Sequence, residues 1–482
     1  MTKNFASLLQ IENDRELIEY ICPNTRIPVW ALIRVSFMRT IMSDWLFNSV
    51  PMWSVNENLN YMKMAKNVVI SAIHNYGYQI NYERKILIQS TGIGNYTKNG
   101  IVHDRLAGYF AEILPKQTLV YQDKPKENFQ DKYSFNPVLH NNPRNIINKL
   151  YSKIAIKSSQ RNLACSVVER AAENAFFRLG YKFSSNKILN LSNALAGQLA
   201  LLPYSSDAYA NWFSKQRFRL LLKEDACYGG VGISIMHAAR LNGMVIAEYQ
   251  HGAILKGHDA YNVDNTLAEC EGFRNVLPDY LLTYGDWWSK QTNMPVKKIT
   301  IGNPHLTESL IKSNLVVNKK NQILVLGDGI DTKLLLNLSS KILEIVKSKG
   351  MTVVFRPHPF ERNKVKLQLM PKGVQLDTNS DIYQSMRESR VLIAEFSTGL
   401  FEAVGLVDKI LIWETEKAKF AFVEIPFKSF TTMDELEFIL YNSIEEKNEL
   451  KNIKNSELWE PNWKQNYINF IEGVIDIKQS AS

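Results

Sequence analysis

Met351-Thr352-Val353-Val354-Phe355-Arg356-Pro357-His358-Pro359 is the stretch that decides how the chain is read. The apolar run 351–355 is too short for a helix, and two prolines flanking a histidine stop it. It is therefore a buried strand whose C-terminal end projects Arg356 and His358. Downstream, Val391-Leu392-Ile393-Ala394 repeats the pattern and runs into Phe396-Ser397-Thr398-Gly399-Leu400-Phe401-Glu402-Ala403, where the spacing turns helical. Hydroxyls and a glycine at a strand-to-helix junction leave backbone N–H groups free at a positive helix end. Taken alone, Ser397 is an N-cap and Arg-Pro-His-Pro a rigid turn. Taken together at the carboxyl edge of a parallel sheet, the two elements predict a site for a nucleotide phosphate.

Further strands surround this core. Ile323-Leu324-Val325-Leu326 is the first strand of the same domain and ends in Gly327-Asp328-Gly329, after which Asp331 or Thr332 caps a helix over 333–348. In the first half, Ile86-Leu87-Ile88 opens a doubly wound pattern and feeds the glycine- and hydroxyl-rich loop that holds Thr91 and Asn95. Gly92 and Gly94 in that loop also fit plain turns. Strands at 119–121, 219–222 and 244–248 follow. The last of these delivers Tyr249-Gln250-His251-Gly252, with Lys256 and His258 in the same loop. A histidine before glycine at a strand end is exposed on a tight turn, and its bland reading is a hydrogen-bonded loop histidine.

The 482 residues, 45% of them hydrophobic, suffice for two cores. The expected fold class is α/β with two Rossmann-like doubly wound domains facing across a cleft. The expected boundaries are a helical appendage over 1–80 and a first Rossmann-like domain over 81–310 with a helical insertion at about 140–215. A nucleotide-sugar domain over 311–450 follows, then a C-terminal helix over 451–482 that returns to the first domain. Within the insertion, helices are predicted over 162–179, 185–202 and 207–218, and 123–160 reads as a long polar loop. The helix over 28–47, with Trp30 and Trp45 beside Arg34 and Arg39, suits a peripheral membrane contact, although packing against the next domain is the preferred reading.

The net charge of +9 is spread out and no basic stripe interleaves with aromatics, which argues against nucleic-acid binding. Cys22, Cys165, Cys227 and Cys270 lack metal-ligand spacing and read as free thiols of a cytoplasmic protein. No metal and no cofactor are expected, and no apolar run reaches the length of a membrane span.

The motif at 356–359, followed by Ser380-Asp381-Ile382-Tyr383 and the 396–403 run, resembles the nucleotide-binding half of GT-B glycosyltransferases of bacterial surface polysaccharides. Two groups are most similar. One is the sialyltransferase-like capsule enzymes that use CMP-activated nonulosonic acids, and the other is the CDP-glycerol glycerophosphotransferases. Gln250-His251-Gly252, the 278–288 run and Ile299-Thr300-Ile301-Gly302-Asn303-Pro304 extend the resemblance in the same order, so it covers roughly 219–413.

The resemblance implies a CMP-activated sugar as donor and a glycan or lipid-linked oligosaccharide as acceptor, at the inner face of the cytoplasmic membrane. It assigns Arg356, His358, Ser397, Thr398, Gly399, Glu402 and Gly327 to the donor, with His358 also giving a proton to the phosphate. His251 is the candidate acceptor base or donor-carboxylate contact. Gln250, Lys256, His258, Thr91 and Asn95 face the donor carboxylate or the acceptor.

Sialyltransferases place an acidic pair before glycine. The nearest matches here are Glu224-Asp225, which lacks the glycine, and Asp328-Gly329 in the other domain, so Asp328 joins the catalytic candidates. Gln250 before His-Gly and Gly399-Leu400 after Ser-Thr depart from the glycerophosphotransferase pattern and favour the nonulosonate reading. Glycerol-phosphate or Kdo transfer, a sugar-nucleotide epimerase and a non-catalytic capsule assembly partner are the alternatives.

Overall fold

The computed structural model describes residues 3–47, 61–76, 78, 82–122, 132–135, 137–311, 318–359, 361–362, 364–442 and 453–475. Two parallel sheets organise them. The first contains β1 (Ile86–Ser90), β4 (Thr118–Gln122), β6 (Val138–His140), β7 (Leu220–Lys223), β8 (Val245–Tyr249), β9 (Tyr280–Thr283) and β10 (Lys297–Thr300), in the order β10-β9-β8-β7-β1-β4-β6. The second contains β11 (Gln322–Leu326), β12 (Thr352–Arg356), β13 (Gln375–Leu376), β14 (Val391–Ala394), β15 (Lys409–Trp413) and β16 (Lys428–Phe430), in the order β13-β12-β11-β14-β15-β16. Both are Rossmann-like and face each other across a cleft.

Strand periodicity explains why these runs are apolar throughout. Leu324, Leu326, Leu392 and Ala394 point into the large core that continues through the first domain, while Ile323, Val325, Val391 and Ile393 point into a second core on the outer face. A strand buried on both sides needs no polar alternation.

The chain differs from expectation in several places. β2 (Asn95–Lys98) and β3 (Ile101–Asp104) form a hairpin inside the predicted loop, joined by β5 (Lys132–Tyr133). Asn99 and Gly100 turn it with φ of 52° and 74°, as a type I′ turn requires. Within 123–160, read as loop, lie β5, the edge strand β6 and a helix; residues 123–131 are outside the described set.

Helices carry the rest, and those used below are numbered in order. α1 (Val29–Leu46) and α2 (Tyr61–Tyr76) precede the first sheet; α3 (Asn142–Ile154), α4 (Ser158–Leu179) and α5 (Ser185–Gln216) form the insertion. α5 runs unbroken through Pro203, where two helices were predicted. Proline removes the N–H that would reach Leu199 O, and Gln160 Nε2 from α4 donates to that carbonyl instead at 3.4 Å.

α1 is a core helix. Eleven of its residues are buried, Trp30 and Phe37 completely. Its buried Arg34 pairs with Glu12 and donates to Asp259 O and Asn262 O at 2.5 Å, so no apolar face of α1 is left for a membrane. Among the described residues no helix is long and apolar enough to cross one.

Two segments tie the halves together. Gly257 N donates to Ala421 O at 2.9 Å, beside α6 (Glu416–Phe422). The final helix α7 (Trp463–Val474) packs on the first domain, with Tyr467 against Phe110 at 4.7 Å between ring centroids, and Trp288 Nε1 donates to Leu458 O at 2.9 Å.

Candidate functional site

β1, β7 and β8 are neighbours in register, with Gln89 opposite Lys223 and Lys223 opposite Glu248. Their carboxyl ends therefore bring Thr91, Glu224, Asp225 and His251 to one place, although 160 positions separate the first from the last. Asp225 turns at φ 59°, a conformation Asp tolerates. Its Oδ1 stands 3.0 Å from His251 Nε2. His251 Nδ1 is buried and has no hydrogen-bond partner. The imidazole is thus anchored at one nitrogen, while the other is left for a ligand.

The surrounding charges tune this group. Burial disfavours the imidazolium, but Asp225, Glu224 and Glu248 outweigh it and raise the His251 pKa. Burial pushes Glu224 up to about 7; His251 opposes that shift, while Asp225 and Asp104 add to it. Glu224 Oε2 accepts from Thr91 N at 2.7 Å, which is how Thr91 enters the site. Below them Glu248 is fully buried, accepting from Tyr261 OH at 2.5 Å and Cys227 N at 2.7 Å. A histidine whose pKa is raised by carboxylates, beside a carboxylic acid pushed up to about 7, can act as an acid–base pair.

The facing half contributes less charge than the sequence suggests. Arg356 is buried and spent: its Nη1 lies 2.5 Å from Asp377 Oδ2 and also donates to Asn379 O and Ser385 Oγ. Asp328 is likewise bound, at 2.7 Å, to the buried Lys417, which also holds Asp331 and Glu395 at 2.8 Å each. Asp331 therefore does not cap its helix with its side chain, and Asp328 is held in the same buried ion-pair cluster. His358 is driven down to about 4 by burial and by Arg105, against the pull of Asp328. It is neutral at pH 7 and can act there as a hydrogen-bonding group.

Gly327 and Gly329 fold over His358, since a Cβ at Gly329 would sit 3.0 Å from its Nδ1 and one at Gly327 3.0 Å from its N. Ser397 is the N-cap it resembles, accepting from Gly399 N at 3.1 Å. Gly399 packs so tightly that a Cβ would meet Leu326 Cδ1 at 2.7 Å. Thr398 Oγ1 has no hydrogen-bond partner among the described residues and faces Gly252 across the cleft, 3.9 Å from where a Cβ there would stand. Glu402 accepts from Tyr383 OH at 3.2 Å, and burial raises its pKa against the opposing field of Arg105.

The remaining candidates make contacts within the protein. Gln250 braces its loop by accepting from Tyr284 N and donating to Gly252 O, both at 2.8 Å. Asn95 exchanges amide hydrogen bonds with Gln122. His258, lowered to about 4 mainly by burial, sits between Tyr228 OH at 3.2 Å and Asp259 at 3.3 Å. Lys256 reaches Glu424 in the other domain at 3.4 Å.

Sequence reasoning missed Arg105. Asp104 accepts from Leu106 N and Ala107 N at 2.9 and 3.0 Å, which fixes the turn that aims Arg105 into the cleft. Its field reaches His251 and Tyr284 in the first half and His358, Tyr383 and Glu402 in the second. No carboxylate pairs with it among the described residues. Its one sequence signal is its place behind the Asn99-Gly100 hairpin. Among the described residues no group of three or more His, Cys, Asp or Glu side chains is arranged to hold a metal ion.

Neither a family model nor a curated protein matches the chain. Solved structures do. UDP-GlcNAc 2-epimerase from Neisseria meningitidis, bound to UDP-GlcNAc, is 12% identical with a TM-score of 0.41, over 80% of this chain and 99% of that one. The same enzyme from Methanocaldococcus jannaschii is 11% identical with a TM-score of 0.43, over 80% and 99%. The wall teichoic acid polymerase TagF is 13% identical with a TM-score of 0.38, over 86% and 93%.

Proposed function

We propose that this chain is a glycosyltransferase that moves a nonulosonic acid from its CMP-activated form to a capsular or surface-polysaccharide acceptor. The observation that carries the reading is one cleft that gathers the His251–Asp225 pair and Arg105 from the first domain and Thr398 Oγ1 and the neutral His358 from the second. The reaction needs both sides. The acceptor hydroxyl oxygen bonds to the anomeric carbon as the bond from that carbon to the phosphate oxygen breaks, and CMP leaves with the electron pair. His251, holding its Nε2 proton on Asp225, takes the hydroxyl proton at Nδ1. Arg105 faces the charge that develops on the phosphate, with Thr398 and His358 as neutral hydrogen-bond partners. A nonulosonate also carries a carboxylate, a second anion for the same guanidinium.

The test is nucleotide release from CMP-pseudaminic, CMP-legionaminic and CMP-sialic acids, CMP-Kdo, CDP-glycerol and UDP-N-acetylglucosamine, with slow donor hydrolysis standing in for transfer. Turnover confined to a CMP-nonulosonate is the expected result. Turnover of CDP-glycerol would replace the reading with phosphoester transfer. Cytidine-nucleotide binding without turnover on any acceptor would make the chain a non-catalytic assembly partner.

A further inference from the structure

α2 and α3 lie side by side at the β6 edge of the first sheet. Asn142 Nδ2 donates to Ser71 Oγ at 3.3 Å, and His74 Nε2 meets Val138 O at 2.8 Å. Both helices turn apolar residues outward. On α2 the exposed set is Met62, Val69, Ile73 and Tyr76, one stripe at steps of three, four or seven, with Ile73 68% exposed. On α3 it is Ile147, Leu150 and Ile154, the last 82% exposed, and no residue of this amphipathic helix is buried. A surface helix ordinarily does the reverse.

The charge on this face is one-sided. Lys66, Lys149 and Lys153 are exposed among the apolar residues, and Lys157 and Arg161 continue the line. Segments 61–82 and 138–168 contain no Asp or Glu in 53 positions, whereas 48 acidic residues in 482 would place about five there. That bias disfavours a second copy of the chain as the partner, because the two faces would oppose cation to cation. Aliphatic side chains flanked by lysines, without acids, suit an anionic lipid surface.

We infer that α2 and α3 form a docking face for an anionic bilayer, with Val69, Ile73, Ile147, Leu150 and Ile154 entering the headgroup boundary and Lys66, Lys149 and Lys153 meeting lipid phosphates. The inference is independent of which donor the cleft takes. It moves the membrane contact away from α1, whose apolar side chains are buried.

Co-sedimentation of the full chain with vesicles tests it, using phosphatidylcholine alone or two parts phosphatidylcholine to one of phosphatidylglycerol. Binding is expected to the anionic vesicles, to weaken with salt, and to be slight on the neutral ones. Lys149→Gln with Lys153→Gln should weaken it about 25-fold, at roughly fivefold per lysine near the surface. Leu150→Ser with Ile154→Ser should weaken it about tenfold or more. Both pairs are exposed, so circular dichroism and the melting temperature should stay as in the wild type. Absence of wild-type binding to anionic vesicles overturns the inference, as does binding that neither pair reduces. Loss of a dimer in sedimentation velocity, with vesicle binding unchanged, would reassign the face to self-association.

Discussion

Replacing Asp225 by Asn keeps the shape of the residue and its tolerance of the left-handed backbone at φ 59° while deleting one charge beside His251. At the observed 3.0 Å contact the charge centres lie about 4 Å apart. An effective dielectric of ~20 gives about 4 kcal/mol as an upper bound on the interaction. Both side chains retain contact with water, at 22% and 32% exposure, and Glu224 and Glu248 remain in place. The His251 pKa should therefore fall in the variant.

NMR titration of the histidine ring protons measures this directly, with His251→Gln assigning the signal among the eight histidines. Stability offers an independent check on the sign. A histidine whose folded pKa is raised contributes stability that is full below its unfolded pKa and is lost as pH rises through the folded value. The variant should thus be more destabilised at pH 6 than at pH 9. A His251 pKa that stays within a few tenths of a unit, or that rises, would refute the electrostatic coupling on which the acid–base role rests.

Other outcomes follow from the same geometry. Arg105→Ala should weaken CMP binding by about 10- to 100-fold in calorimetry, the loss of one charge-assisted contact of about 1.5–3 kcal/mol, while Arg356→Lys should mainly lower stability. Lys417→Met strands three buried carboxylates and should cost about 3–5 kcal/mol in chemical denaturation. Because the folded pKa of Glu395 is raised to about 7, mainly by burial, that loss should grow as pH climbs from 5 to 8. Gly257→Ala puts a Cβ 1.9 Å from Phe420 O, so small-angle scattering should show the two domains further apart than in the wild type.

What could be read from the sequence was whatever local pattern encodes. Paired apolar runs ending in Arg356 and His358, or in Gln250 and His251, gave strands and their ends, because strands buried on both faces leave continuous runs. Pairing was not legible. Nothing in the local pattern around Arg356 announces Asp377, and nothing at Asp328 announces Lys417 almost ninety positions on, so the buried ion pairs that hold these residues could not be read. The reverse error hid Arg105, whose value lies in having no carboxylate partner among the described residues. β6 was missed because Val138-Leu139-His140 is too short to show a period. α5 was broken at Pro203 because the compensating Gln160 side chain comes from another helix.

The seating of α7 on the first domain has a consequence for how the protein is made. Trp463, Tyr467 and Ile471 are core residues of a domain whose first strand begins at Ile86. During synthesis the ribosome emits the entire second domain before those side chains appear. The first domain must therefore wait, with Phe110 and Trp288 uncovered, while the second folds as a unit. Premature termination between 442 and 463 would release a chain whose second domain is finished and whose first is not.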